Sequence, residues 1–172
     1  MLNLKYSNHY REKGEVGSFY PFLHPSFFQV HAKIDLWLSR FVLEGDEKIF
    51  RDLWTFYLLS SKKYLDHRKA NHLFRVMLSL HFMQKKLLHP STLFSESRHF
   101  TVRLLSTDLV FSFLSKPVLG CVIGFNLSNR YELFDEENVT LALQRYLPQL
   151  QLVKESFYTH NTEHKNLKIF YF

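Results

Sequence analysis

The chain has 172 residues, 46% of them hydrophobic, which fits a domain of ordinary size whose core needs no metal or disulfide and argues against intrinsic disorder. A single cysteine, Cys121, excludes an internal disulfide framework and a Cys-rich zinc site, and matches a reducing compartment such as the cytoplasm. Net charge is +6 and all of the excess lies early: residues 1–90 hold 14 Lys/Arg against 8 Asp/Glu, whereas residues 91–172 hold 8 of each.

The apolar residues are unusually aromatic, with 18 Phe and 9 Tyr beside only five Gly. A codon bias towards A and T accounts for this without invoking function; an aromatic binding surface is the sharper reading. The opening "MLNLKYSNHYREKGEVG" is polar and lacks the apolar stretch of a secretory signal. The most apolar segment, "DLVFSFLSKPVLGCVIGFNL", is interrupted by Lys116 and Pro117 and falls short of the roughly 20 residues a membrane span needs. A soluble, cytoplasmic protein without a membrane partner is expected.

Residues 1–24 read as an irregular arm punctuated by Gly14, Gly17 and Pro21. Residues 25–90 then carry three helical patterns. In the first, Ser26 is placed to cap, Phe27, Val30, Ile34, Trp37, Leu38 and Phe41 recur at three- and four-residue steps, and Gly45 ends the run. Asp46 is placed to cap the second, where Ile49, Phe50, Leu53, Trp54, Tyr57 and Leu58 form the apolar face. A third helix is expected from about Asp66 to Leu88, stopped by Pro90, with Leu73, Val76, Met77, Leu80 and Leu87 towards the core.

Residues 91–172 change texture. "RHFTVRLL" alternates, setting Phe100, Val102 and Leu104 against His99, Thr101 and Arg103, as a half-buried strand does. "DLVFSFL" is expected to fold back on it through a turn at Ser106-Thr107, and "PVLGCVIGFNL", apolar on both faces, to form the central strand. In "YELFDEENVTLALQRYLPQL", Asp135 caps a helix, Glu136 and Glu137 complement its dipole, and Phe134 and Val139 hold staple positions. Val139, Ala142, Leu143 and Tyr146 make its apolar stripe. "LQLVKESFY" and "NLKIFYF" complete a β-β-β-α-β-β half, with a crossover that returns parallel to the central strand. The fold class is therefore α+β: an N-terminal layer of about three helices on a C-terminal mixed sheet. At fold level this half resembles the small α/β sandwiches used in ligand sensing and protein pairing, an analogy that carries no function of its own.

Sites of chemistry are sparse. No phosphate-cradling glycine loop and no nucleophile elbow occurs, and no cofactor is implied. Cys121 lies in an apolar strand and reads as structural. "HNTEH" places His160, Glu163 and His164 together as candidate metal ligands, but on a loop without a rigid frame. Around the third helix Arg68, His72, Arg75, Ser79 and Lys86 step opposite the core face, with Phe82 on the same side, which gives a basic stripe for an acidic partner or for phosphates. The terminal run "IFYF" reads as a strand at the sheet edge, with Leu167, Ile169 and Tyr171 on one side and Lys168, Phe170 and Phe172 on the other. Phe170 and Phe172 then either meet a continuation of a longer chain or capture a partner. The function expected is a non-catalytic protein-interaction or regulatory domain, engaging a protein partner or itself. Nucleic-acid binding through the basic helix is the alternative, and an enzyme assembled from distant residues comes third.

Overall fold

The computed structural model describes residues 23–41, 47–89, 99–112, 114–126, 135–153, 158–160 and 167–171. The arm before residue 23, Gly45, Asp46, Pro90, Phe134, Glu163, His164 and Phe172 lie outside the described residues. The elements are α1 (Ser26–Phe41), α2 (Lys48–Leu59), α3 (Lys62–Asp66), α4 (Ala70–Leu87), β1 (Phe100–Phe111), β2 (Leu114–Asn126), α5 (Glu136–Tyr146), β3 (Tyr158–His160) and β4 (Leu167–Tyr171). The class is α+β, with helices first and a four-stranded sheet after them. Among the described residues no helix is long and apolar enough to cross a membrane.

The helical spacing holds where it was clearest. Phe27, Val30 and Ile34 of α1 are buried, as are all five expected core residues of α4. On α2 the buried side is Ile49, Leu53, Phe56 and Tyr57, so Phe56 replaces the exposed Leu58 in the expected set. The chain enters α1 through Ser26, whose Oγ contacts Tyr57 Oη of α2 at 2.9 Å and His24 Nδ1 at 2.7 Å. His24 Nε2 meets Asp66 Oδ1 at 2.9 Å and so ties this entry to α3.

The third helix is two. Ser61 Oγ accepts from the Tyr64 N–H (3.1 Å) and opens the short α3; Lys69, with extended φ and ψ of −69° and 147°, separates it from α4. That break is used. It lets Arg68 bridge Leu109 of β1 and lets the Val110 N–H donate to the His67 carbonyl at 2.9 Å.

The two strands expected before the central one are a single strand, β1, which pairs with β2 in unbroken register from Phe100↔Phe125 to Phe111↔Leu114. The reversal falls after Phe111, with Ser112 in the left-handed region (φ 49°), and not at Ser106-Thr107. Pairing along twelve positions overrides the local turn preference of those polar residues. The sheet order is β1-β2-β4-β3 and every neighbouring pair is antiparallel. β2 and β3 both oppose β4, so they run parallel to each other with β4 between them. The last strand is therefore interior. The expected edge at "IFYF" gives way to a strand held on both sides by β2 and β3, and Phe170 is buried. Its side assignment stands: Leu167, Ile169 and Tyr171 join the main core, whereas Phe170 packs on the opposite face.

Helix α4 lies on one face of the sheet and α5 on the other. Asp135 caps α5 as expected, its Oδ1 accepting from the Asn138 N–H at 3.1 Å. Val139 is buried against Ile123 and Phe170, with Leu143 beside it, whereas Ala142 and Tyr146 are exposed. The two glycines of β2 admit close neighbours on the α4 side. A Cβ at Gly120 would stand 2.9 Å from the Tyr171 ring, and one at Gly124 would stand 2.5 Å from Met83 Sδ. The Tyr171 ring is fully enclosed, whereas a methionine side chain is adaptable. Gly120→Ala is therefore expected to lower stability by about 1–3 kcal/mol and to lower it more than Gly124→Ala does. Urea unfolding midpoints of the two variants check both the size and the order.

Candidate functional site

The basic stripe does not form one exposed face. Arg68, His72 and Ser79 are buried, while Arg75, Phe82 and Lys86 remain exposed. The physical reason is that the sheet docks on the flank of α4 that carries His72, Ser79, Met83 and Leu87, next to the side that α1 and α2 cover. Tyr171 Oη of β4 shares a hydrogen bond with His72 Nε2, and Arg75 Nη1 donates to the Ser106 carbonyl of β1 at 2.9 Å. The Arg68 guanidinium lies 3.6 Å from the centre of the Tyr64 ring, and its Nη1 donates to the Tyr64 carbonyl at 2.8 Å. Ring face and carbonyl replace water around this cation. Phe82 meets Trp37 of α1 edge to face, with centroids 5.4 Å apart, so α4 is contacted on two sides.

A second polar group gathers between α2, α4 and β3. The Gln84 amide, oriented by its neighbours, donates to Asp52 Oδ2 at 3.3 Å and accepts from Lys48 Nζ at 3.0 Å. His160 lies beside them on β3, turned towards the helical layer and buried, and so is a strand residue where a loop residue was expected. Among the described residues no three His, Cys, Asp or Glu side chains are grouped to hold a metal ion. Burial, with Lys48 and His81 adding to it, pushes the His160 imidazole down to about 4. Burial, reinforced by Arg68 and Arg75, does the same to His72. Free histidine titrates near 6.5, so between about pH 4 and 6.5 the unfolded chain takes up protons at these two positions and the folded chain does not. Their contribution to stability is present above the free value and is lost as pH falls through that window. Unfolding midpoints are expected to drop across it, and the slope to flatten in His160→Gln.

The face of the sheet away from α4 carries a different surface. Phe100, Val102 and Leu104 of β1 point there, opposite Phe125, Ile123 and Cys121 of β2. Helix α5 covers the β2–β4 side, where Ile123 and Phe170 are buried, but leaves the β1 side open. Phe100 is 66% exposed, Val102 43%, Leu104 58% and Leu119 of β2 62%. The alternation of β1 was legible, yet its apolar side is the open one; Leu105 and Leu109 are the β1 residues buried towards the helices. Cys121 sits half-buried at the border of the covered region, and burial pushes its thiol up to about 11. Little thiolate forms at neutral pH, so native Cys121 is expected to react with a thiol reagent far more slowly than in the unfolded chain.

The β1 backbone edge is as uneven as its face. With no bulge in the register, N–H and C=O groups of alternate residues point away from β2. The Val110 N–H bonded to His67, the Val110 carbonyl on His67 Nδ1 (2.7 Å) and the Ser106 carbonyl on Arg75 identify the outward set as the even-numbered residues. The edge is thus closed by α4 and the turn before it from Ser106 to Val110. Among the described residues nothing pairs with the outward groups of Phe100, Val102 and Leu104.

Comparison of the chain with protein-family models, with curated proteins and with solved structures finds no match.

Proposed function

We propose that the chain is a non-catalytic protein-interaction domain whose contact surface is the open apolar face of β1 and the adjoining part of β2. One observation carries this reading: Phe100, Val102, Leu104 and Leu119 are neighbours across paired strands and exposed, while the part of the same face around Ile123 and Phe170 is covered by α5. Contiguous apolar surface of this kind marks contact sites, since leaving it in water forgoes the stabilisation that burial supplies. The outward backbone groups of Phe100, Val102 and Leu104 add main-chain hydrogen bonds for an extended partner segment. A cytoplasmic location goes with this reading, on the single cysteine.

Nucleic-acid binding is the second reading, favoured by the exposed Lys62, Lys63, Lys69, Arg75, Lys85 and Lys86 around α3 and α4. It is weakened by the burial of Arg68 and His72, which removes the N-terminal end of the basic stripe.

A photo-crosslinking residue placed at Leu119, and separately at Lys63, distinguishes the two in the native cell. Protein adducts at Leu119 with none at Lys63 are expected. Nucleic-acid adducts at Lys63, with an affinity that falls with salt by about 0.9 in log–log slope per phosphate contact, would replace the first reading with the second.

A further inference from the structure

We infer that the partner of β1 is a second copy of this chain, joined edge to edge and antiparallel about a two-fold axis at Val102. The inference rests on the reading of β1 as an interaction surface and names what that surface takes.

The open part of the edge is its own complement. Three alternate residues, Phe100, Val102 and Leu104, present outward N–H and C=O groups, and the next outward residue, Ser106, has its carbonyl held by Arg75. An axis at Val102 sets Phe100 opposite Leu104 of the second copy, Val102 opposite Val102, and Leu104 opposite Phe100. Each of these opposed pairs exchanges two hydrogen bonds, as hydrogen-bonded pairs of an antiparallel ladder do. None of the outward groups of these three residues is left over. An axis at Leu104 would instead oppose Val102 to Ser106, whose carbonyl is taken, and Phe100 to the charged Asp108. An axis at Arg103 would oppose Val102 to Leu104 but Phe100 to Ser106, whose carbonyl is taken, and would set two like charges, Arg103 and its copy, directly opposite.

Side chains follow the same symmetry. On the open face, Phe100 lies across from Leu104 at both ends and Val102 from Val102 at the centre, which are aromatic–aliphatic and β-branched pairings of the stabilising kind. On the other face Arg103 stands opposite Thr101, so no like charges are directly opposed. The other sheet edge, β3, has three residues against twelve in β1, so the long edge is the one left available. The closure from Ser106 onward limits the pairing length and hence fixes the register. A continuous eight-stranded sheet results, with an isologous interface.

Sedimentation of the full chain over a wide concentration range tests this. The wild type is expected to show a reversible monomer–dimer equilibrium. Val102→Pro removes an outward N–H without breaking a β1–β2 hydrogen bond, and is expected to be monomeric with unchanged circular dichroism. Should Val102→Pro fail to fold, Leu104→Glu, at an exposed position, gives the same readout. In a Cys121→Ser background, Val102→Cys is expected to form a disulfide-linked dimer on mild oxidation, because hydrogen-bonded opposed residues stand about 5.5 Å apart at Cα, within disulfide reach. A wild type that stays monomeric throughout overturns the inference. So does a dimer that survives Leu104→Glu and leaves Val102→Cys unlinked. Monomeric behaviour with protein adducts persisting at Leu119 would remove self-pairing alone and leave the interaction reading standing.

Discussion

Helix α4 rests on β2 at glycine distance, and the rest of the molecule is arranged around that contact. Met83 and Leu87 occupy the space that a side chain at Gly124 would fill, with Sδ and Cδ1 2.5 and 2.8 Å from the position of a Cβ there. Seated so low, α4 touches three strands at once and still has α1 and α2 on its other side. Its polar side chains are consequently enclosed along with its apolar ones: His72, Ser79, His81 and Gln84 are all buried. Tyr171 is drawn into the same seam beside Gly120 and lies under the His72 ring, with ring centroids 5.7 Å apart.

Enclosing polar groups is costly unless each finds a partner, and a buried cation is the costliest. Here the solution is largely neutral. Arg68 rests on aromatic faces and a backbone carbonyl, and His72 is kept uncharged by the same burial and by the two guanidinium groups near it. The Tyr171 phenol, raised by its enclosure, stays protonated and can serve the imidazole as either donor or acceptor. Such a seam has polar contacts that specify alignment between α4 and β4 without a pair of opposite charges. It also explains why His72 and Ser79 of the stripe on α4, which looks like a solvated face when the helix is considered alone, are interior in the fold while Arg75 and Lys86 stay exposed.

What was legible in the sequence were features decided within one turn or one strand. The apolar spacing of α4, the Asp135 cap and the alternation from Leu167 to Tyr171 depend on neighbours two to four residues away, and each is found where the pattern sets it. What was not legible depends on pieces distant in the chain. Phe100, Val102 and Leu104 look like a core stripe because nothing local tells which side of a strand a helix will cover. Phe170 looks like an edge residue because the insertion of β4 between β2 and β3 is a property of the whole sheet. His160 looked like a loop ligand and is instead a buried strand residue, since the pairing of β3 with β4 takes in Thr159 and His160, the first two residues of the polar run. The candidate surface was thus present in the sequence as residues but not as a surface.

The position of β4 also bears on the order in which this sheet is completed during synthesis. β1 and β2 are neighbours in the chain, so each has its partner as soon as both are made, but the strand that pairs with the far side of β2 is made only after α5 and β3. Until then Val122 and Ile123 stand on a strand with one set of backbone groups unpaired, beside the outward groups of β1 on the hairpin's other side. A nascent chain at that stage offers two open edges, and closing the inner one depends on non-local pairing, which is slow to form. The time between translation of β2 and docking of β4 is therefore the interval in which the growing chain is most exposed to wrong pairing, and a factor that shields extended apolar segments would act then.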